Sequence, residues 1–505
     1  MITQGPELSS GEHSAQVVII GTGAGGSVLA WQLAERGVDV LLLEAGGYHP
    51  TEDLVPLEES RNYPMLYQER MTRATADAAI AVLQGRSYGG GTTINWTTCF
   101  RTPDRILEHW RAQFGIELGD LDPHWEAVEQ ALNISDWPLG AINPNNAVLH
   151  RGLEALGWES KTLRRNVRGC VNSGYCGLGC AFGAKMSAPN STLRRAVQLG
   201  ARVYTDCRAW TLERQGGGWR VNTQVLDRAT GRPSGVELQI QAPSVVVAGG
   251  AINSPALLLR SEINPGGQVG KRTMLHPVVG LAGRYPERID GWAGAPQSIG
   301  SHHFIERGEQ VGFFLETPPM QPMLIASAMT AFGGQVRDLM AQLPHLSTTL
   351  ALSVDGLHDT VPGGEVRLLP NGQPKLHYPI GPALVESFRA STLAMARVHL
   401  AAGAEQVISL HMQPVELRSE ADLPKLEAAP YGALEHAIFS AHQMGGCAMG
   451  ADPETSVVDT DHRVRGQDGL WVVDGSVLPT ALGVNPSQTI YGLAHRAAGI
   501  LAQAT

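Results

Sequence analysis

The stretch VVIIGTGAGGSVLAWQLAERGVDVLLLEAGG, Val17 to Gly47, leaves its part of the chain little freedom of local fold. Val17 to Ile20 reads as a buried strand, 27–36 as a helix ended by Gly37, and 38–43 as a second buried strand. Between the first strand and the helix stand Gly21, Gly23 and Gly26 in G-x-G-x-x-G spacing, with Gly25 in the same loop. The first glycine permits a tight turn, the second lets backbone reach a pyrophosphate, and the third lets helix and strand pack closely. A phosphate would there meet the positive end of the helix. Glu44, closing the second strand, is placed to accept hydrogen bonds from a ribose diol. A plain βαβ crossover is the competing reading, but triplet, helix, second strand and acid arrive in the order that predicts dinucleotide binding. NAD and FAD share this fingerprint, so the segment does not choose between them.

A formal charge of −10 with no long Lys/Arg run argues against nucleic acid or an anionic membrane as the main partner. At 505 residues the chain has two to four domains' worth of mass. No apolar stretch reaches the length of about eighteen residues that a membrane span needs, because the best candidate, 242–259, is broken by Pro, Gly, Asn and Ser. The opening MITQGPELSSGEHSAQ has no basic start followed by an apolar run, which points to a cytoplasmic protein. Six cysteines in this length do not make a disulfide framework.

Four further stretches carry signal. GRSYGGGTTINW, from Gly85, is a second glycine-rich loop. VVVAGGAINSPALLLRS, from Val245, is a buried strand running into a turn and helix. SAHQMGGCAMG, from Ser440, sets His442 among glycines and small residues, and GLWVVDGSVLPTALGVNPSQTIYGLAHRAAGIL closes the chain from Gly469. Together with the N-terminal fingerprint, these segments resemble the glucose-methanol-choline family of FAD-dependent oxidoreductases. HQMGGC and GVNPSQT are most similar to the branches that contain long-chain alcohol oxidases and cholesterol oxidases.

The resemblance implies an α/β fold: a doubly wound, Rossmann-like FAD domain with an interleaved α+β substrate domain containing an antiparallel sheet. The FAD domain is expected over 14–110, 186–283 and 436–505, and the substrate domain over 111–185 and 284–435. Gly90, Gly91, Asn95, Asp474, Gly475 and Pro486 join Gly21, Gly23, Gly25, Gly26 and Glu44 as expected cofactor contacts. Where members with covalent flavin carry a histidine, this chain has Ile94, which cannot make that bond, so FAD is expected to be non-covalent. Tyr88 and Glu262 depart from the family pattern, the first before the paired glycines and the second where a glycine often follows.

His442 matches the family's base above the flavin and Asn485 its partner. The chemistry explains the requirement: an alkoxide expels hydride far more readily than an alcohol does, and imidazole can take the hydroxyl proton near neutrality. Asn485 also precedes Pro486, and Asn as cap with Pro at the first helical position commonly begins a helix. Ile490, Leu493, Ala494, Ala497 and Leu501 then recur at helical spacing. Asp474 reads as cofactor contact or as turn residue. His276 is expected to be framework, and His302 and His303 surface or substrate-domain structure.

Cys170, Cys176 and Cys180, in CVNSGYCGLGC, leave two readings open. Some family dehydrogenases hold an iron-sulfur cluster on a comparable triad; buried free thiols are the simpler alternative. No separate metal site is expected. EVRLLPNGQPKLHYPI, from Glu365, predicts a hairpin turning at Asn371-Gly372, followed by a helix over 384–400. The implied activity is oxidation of an apolar primary or secondary alcohol by hydride transfer to flavin, with oxygen, a quinone or a redox protein as electron acceptor. The alternatives are a flavin-dependent lyase or decarboxylase of the same family, or a non-catalytic electron-relay protein.

Overall fold

The computed structural model describes residues 1–504. Its first sheet has six parallel strands in the order Ile2–Thr3, Arg202–Tyr204, Val40–Leu43, Val17–Ile20, Ser244–Val247, Leu470–Val472. The inner strands are nearly continuous apolar runs because both faces are covered, one by helices and the other by a further sheet, which leaves no solvent side to favour alternation. From Val17–Ile20 the chain first winds to one side and later to the other, so this strand is the topological switch point.

The helix after that strand is Ala24–Glu35, three residues earlier than the glycines suggested. Gly25 and Gly26 lie inside its first turn, where their weak helix propensity yields to packing. A Cβ at Gly25 would stand 1.9 Å from the carbonyl oxygen of Val473, and one at Gly26 2.1 Å from that of Gly21. The C-terminal helix Ser487–Ala504 packs against Ala24–Glu35, burying Tyr491, Leu493, Ala494, Ala497 and Leu501.

A second, seven-stranded sheet is mostly antiparallel. Phe313–Glu316, Leu346–Ser353, Val278–Arg284, Gln406–Ser409 and Glu416–Leu417 follow one another, while Ile438–Ser440 pairs with Val278–Arg284 and with Ala81–Val82. Helix Pro382–Ala401 covers one face and buries Leu384, Phe388, Met395 and Val398, each large side chain stabilising by about 2–3 kcal/mol. It starts two residues before the expected 384, with Pro at its first position. The hairpin ahead of it pairs Glu365–Leu368 with Pro374–His377, and Gly372 takes the left-handed turn position at φ +76°. A four-stranded sheet of Cys207–Gln215, Gly218–Val225, Leu238–Ala242 and Gly11–Ser14 packs on the face of the first sheet opposite helix Ala24–Glu35.

Candidate active site

The carboxyl ends of four parallel strands open on a cavity of about 800 Å³, roofed by the seven-stranded sheet. Three glycine-rich turns form its floor. Gly21 has φ +111°, and a Cβ there would stand 2.2 Å from the carbonyl oxygen of Ala248, so only glycine makes the turn. Gly23 differs: an added Cβ meets nothing within 4 Å, because this residue faces the cavity, as does Gly91. No side chain caps the helix that Gly23 begins, so its positive end is open to a ligand. Gly90, at φ +52°, brings the second loop against Gly23.

Glu44 is buried on this floor and accepts hydrogen bonds from the Thr22 hydroxyl at 2.5 Å and the Gly46 N–H at 2.8 Å, while burial pushes its carboxyl up. Asp474 lines the cavity with Gly475, yet its carboxylate accepts from the N–H groups of Gly250 and Ser476, both at 2.7 Å, and from the Ser254 and Ser476 hydroxyls. It therefore ties the helix Gly250–Arg260, which follows Ser244–Val247, to the turn after Leu470–Val472. Asn95 and Pro486 also line the cavity, whereas Gly26, packed against the Gly21 carbonyl, does not reach it.

His442 and Asn485 meet at the far end. The imidazole Nε2 lies 3.3 Å from the Asn485 amide nitrogen, and its Nδ1 lies 3.2 Å from Nδ1 of His276, whose Nε2 accepts the N–H of Gly483 at 3.1 Å. Burial pushes His442 down to about 4, so the ring is neutral at physiological pH. His276 is thus framework in direct contact with the candidate base. It is held at φ +44° by the carboxylate of Asp355, which accepts the N–H groups of Leu275 at 2.8 Å and His276 at 3.0 Å.

Asn485 does not act as a side-chain cap for the terminal helix. Its Oδ1 is buried without a partner, and its amide nitrogen faces His442 and, at 3.4 Å, the carboxylate of Glu316. Glu316 is 1 % exposed and also accepts from the amide of Gln297. Burial pushes its carboxyl up to about 8. Gln297 lines the cavity at φ +45°, its oxygen accepting from the Thr98 hydroxyl at 2.9 Å. Glu316 and Gln297 carry no local sequence signal; only the pairing of distant strands brings them to Asn485. His302 stacks on Phe314 rather than reaching the cavity wall, and His303 stacks on Trp158.

Ile94 lines the cavity as an apolar side chain. The three clustered cysteines are free: Cys170 is half-buried, Cys176 faces Arg165, and Cys180 accepts the N–H of Lys185. Among the described residues, no group of three or more Cys, His, Asp or Glu side chains is arranged to hold a metal ion. No helix of the described residues is long and apolar enough to cross a membrane.

A doubly wound sheet with ligand-ready glycine turns, facing an antiparallel sheet across an imidazole-amide pair, defines a nucleotide-dependent oxidoreductase of two-sheet design. The chain belongs to the GMC oxidoreductase family, whose N-terminal model matches residues 16–278 and whose C-terminal model matches 362–494. An uncharacterized GMC-type oxidoreductase of Mycobacterium tuberculosis is 32% identical over 487 residues, covering 95% of this chain and 74% of that protein. A long-chain-alcohol oxidase of Arabidopsis thaliana is 29% identical, covering 95% of this chain and 66% of the relative. A cholesterol oxidase of Mycobacterium tuberculosis is 26% identical, with 96% and 90% covered. Among solved structures, formate oxidase from Aspergillus oryzae superposes with a TM-score of 0.72 at 15% identity, over 97% of this chain and 98% of that one. A fungal aryl-alcohol oxidase gives 0.64 at 16%, over 97% and 99%. GMC oxidoreductases bind FAD, and the open floor at Gly23 and Gly91, the uncapped helix and the size of the cavity fit that group.

Proposed function

We propose that this chain oxidises an apolar primary or secondary alcohol to the aldehyde or ketone, using non-covalently bound FAD. When bound, FAD supplies a hydride acceptor at N5 of its ring. Gly23, at the open end of its helix, takes the pyrophosphate, with Gly21, Gly25 and Gly26 shaping the turn around it and Glu44 at the adenosine end. Gly90, Gly91, Asn95, Asp474, Gly475 and Pro486 border the remainder. His442, neutral under working conditions, accepts the hydroxyl proton at Nε2 in its Nδ1–H tautomer, for which His276 gives up its bond from Gly483 and accepts at Nδ1. Asn485 donates its amide to the substrate oxygen as charge builds there. Val278, Leu350, Leu352 and Phe439 line the cavity on the side of the antiparallel sheet, which suits an apolar substrate. The FAD-binding part is taken as 14–110, 186–283 and 436–505, with 111–185 and 284–435 over the substrate. The electrons leave to oxygen, a quinone or a redox protein, and the setting is cytoplasmic.

One observation carries this reading: His442 and Asn485 stand 3.3 Å apart on the wall of the cavity whose floor is the glycine fingerprint. The test is anaerobic mixing of the FAD-loaded protein with a panel of alcohols of increasing chain length, then admission of air. His442→Ala is expected to keep its yellow colour and lose bleaching by alcohol, by roughly 10²–10⁴ in rate. Unimpaired bleaching in that variant removes His442 from the mechanism.

A further inference from the structure

The segment that carries Cys176 and Cys180 bends sharply, with Gly179 at φ +98°, Cys180 at +56° and Gly183 at +63°. Its outcome is to turn Lys185 inward, to 1 % exposure. All three ammonium hydrogens are used: Nζ donates to the main-chain oxygens of Thr93 at 2.6 Å, Cys176 at 2.8 Å and Asn95 at 3.0 Å. Beside it Arg165 is 0 % exposed, donates to the carbonyl oxygens of Trp96 and Pro296, and lies over the ring of Trp137.

Neither cation has a carboxylate partner among the described residues. The ionisable groups acting on Lys185 are the thiols of Cys176 and Cys180 and the guanidinium of Arg165. Burial pulls Lys185 down to about 8, which still leaves it mostly charged at neutral pH. A loop staple needs only N–H donors, and an amide would supply two of the three without desolvating a charge. The charge therefore calls for a use of its own.

Its position supplies one. Thr93 and Asn95 flank Ile94, and Ile94, Asn95, Trp96 and Thr98 line the cavity. The Thr98 carbonyl accepts the Ser487 hydroxyl at 3.4 Å, which sets this wall at the Asn485 end of the cavity. We propose that Lys185 is a positioning residue for the flavin: its buried ammonium, held behind the Thr93–Asn95 wall, favours the anionic reduced ring and raises its reduction potential. This rests on the FAD reading above.

The test compares Lys185→Gln, which keeps two N–H donors, with Lys185→Met, which keeps none, and Lys185→Arg, which keeps the charge. The readouts are FAD content, midpoint potential by dye-linked reductive titration, and affinity for sulfite, whose addition leaves negative charge on the ring and bleaches it. The Gln variant is expected to retain FAD, shift its potential negative and bind sulfite at least about tenfold more weakly, with Arg restoring both. The Met variant is expected to follow Gln in potential; if it does not fold, Gln alone decides. A Gln variant with the parent's potential and sulfite affinity overturns the proposal and leaves Lys185 a staple. A parent chain that takes up no FAD overturns the functional reading with it, whereas a parent that binds FAD but ignores every alcohol refutes only the substrate.

Discussion

Glu316→Gln isolates the effect of one buried acid on both stability and chemistry. The carboxyl is surrounded by amides, those of Gln297 and Asn485, which bring no positive charge, and burial lifts it from an ordinary 4.5 to about 8. Below the unfolded value, folded and unfolded chains both hold the proton; between that value and about 8 only the folded chain does. Stability therefore falls as pH rises through this window, by roughly 5 kcal/mol at most, and Glu316→Gln removes the loss. At the substrate, the ionised carboxylate would lie roughly 6 Å from an oxygen held by Asn485, where an effective dielectric near 20 gives a repulsion of about 3 kcal/mol. That is about a hundredfold in rate. Stopped-flow reduction by alcohol between pH 6 and 10 should show a basic limb in the parent and a level profile in the Gln variant, with urea melts diverging in favour of the variant as pH rises. A basic limb unchanged in Glu316→Gln, or melts that diverge toward low pH instead, refutes the reasoning.

The glycine fingerprint divides into residues that serve the fold and one that serves the ligand. Gly25→Ala, with its Cβ 1.9 Å from a carbonyl oxygen, should cost 1–3 kcal/mol or more in a urea melt of the FAD-free chain. Gly23→Ala should leave that melt within about 0.5 kcal/mol of the parent while FAD affinity, read by fluorescence quenching, collapses; equal FAD affinity in Gly23→Ala contradicts the assigned face. Asn485→Asp puts a second carboxyl against Glu316, so the pair shares a proton and both stability and reduction by alcohol fall, the latter by roughly 10²–10³. A variant that reduces at the parent rate would return Asn485 to a purely structural role.

Much of this was legible from local pattern. Period and punctuation place the strand Val17–Ile20, its helix, the Asn371-Gly372 hairpin and the terminal helix, because each is set by residues within a few turns of one another. Helix starts slip by two or three residues; Gly25 lies inside a helix at a site where the Val473 carbonyl leaves no room for a side chain, a demand that propensity does not register. His442 and Asn485 are visible through family motifs, but the partners that set their chemistry are not. His276 lies 166 residues from His442 in the chain and Glu316 lies 169 from Asn485; Lys185 reaches a loop 90 residues away.

By itself, then, the sequence determined a nucleotide-binding βαβ unit, its glycine turns and the two polar residues its family motifs single out. Only the tertiary structure decided which buried acid, imidazole and ammonium surround them. The reason is that a pKa or a buried charge depends on what displaces water around a group. That is settled by strand pairing across hundreds of residues, not by neighbours along the chain.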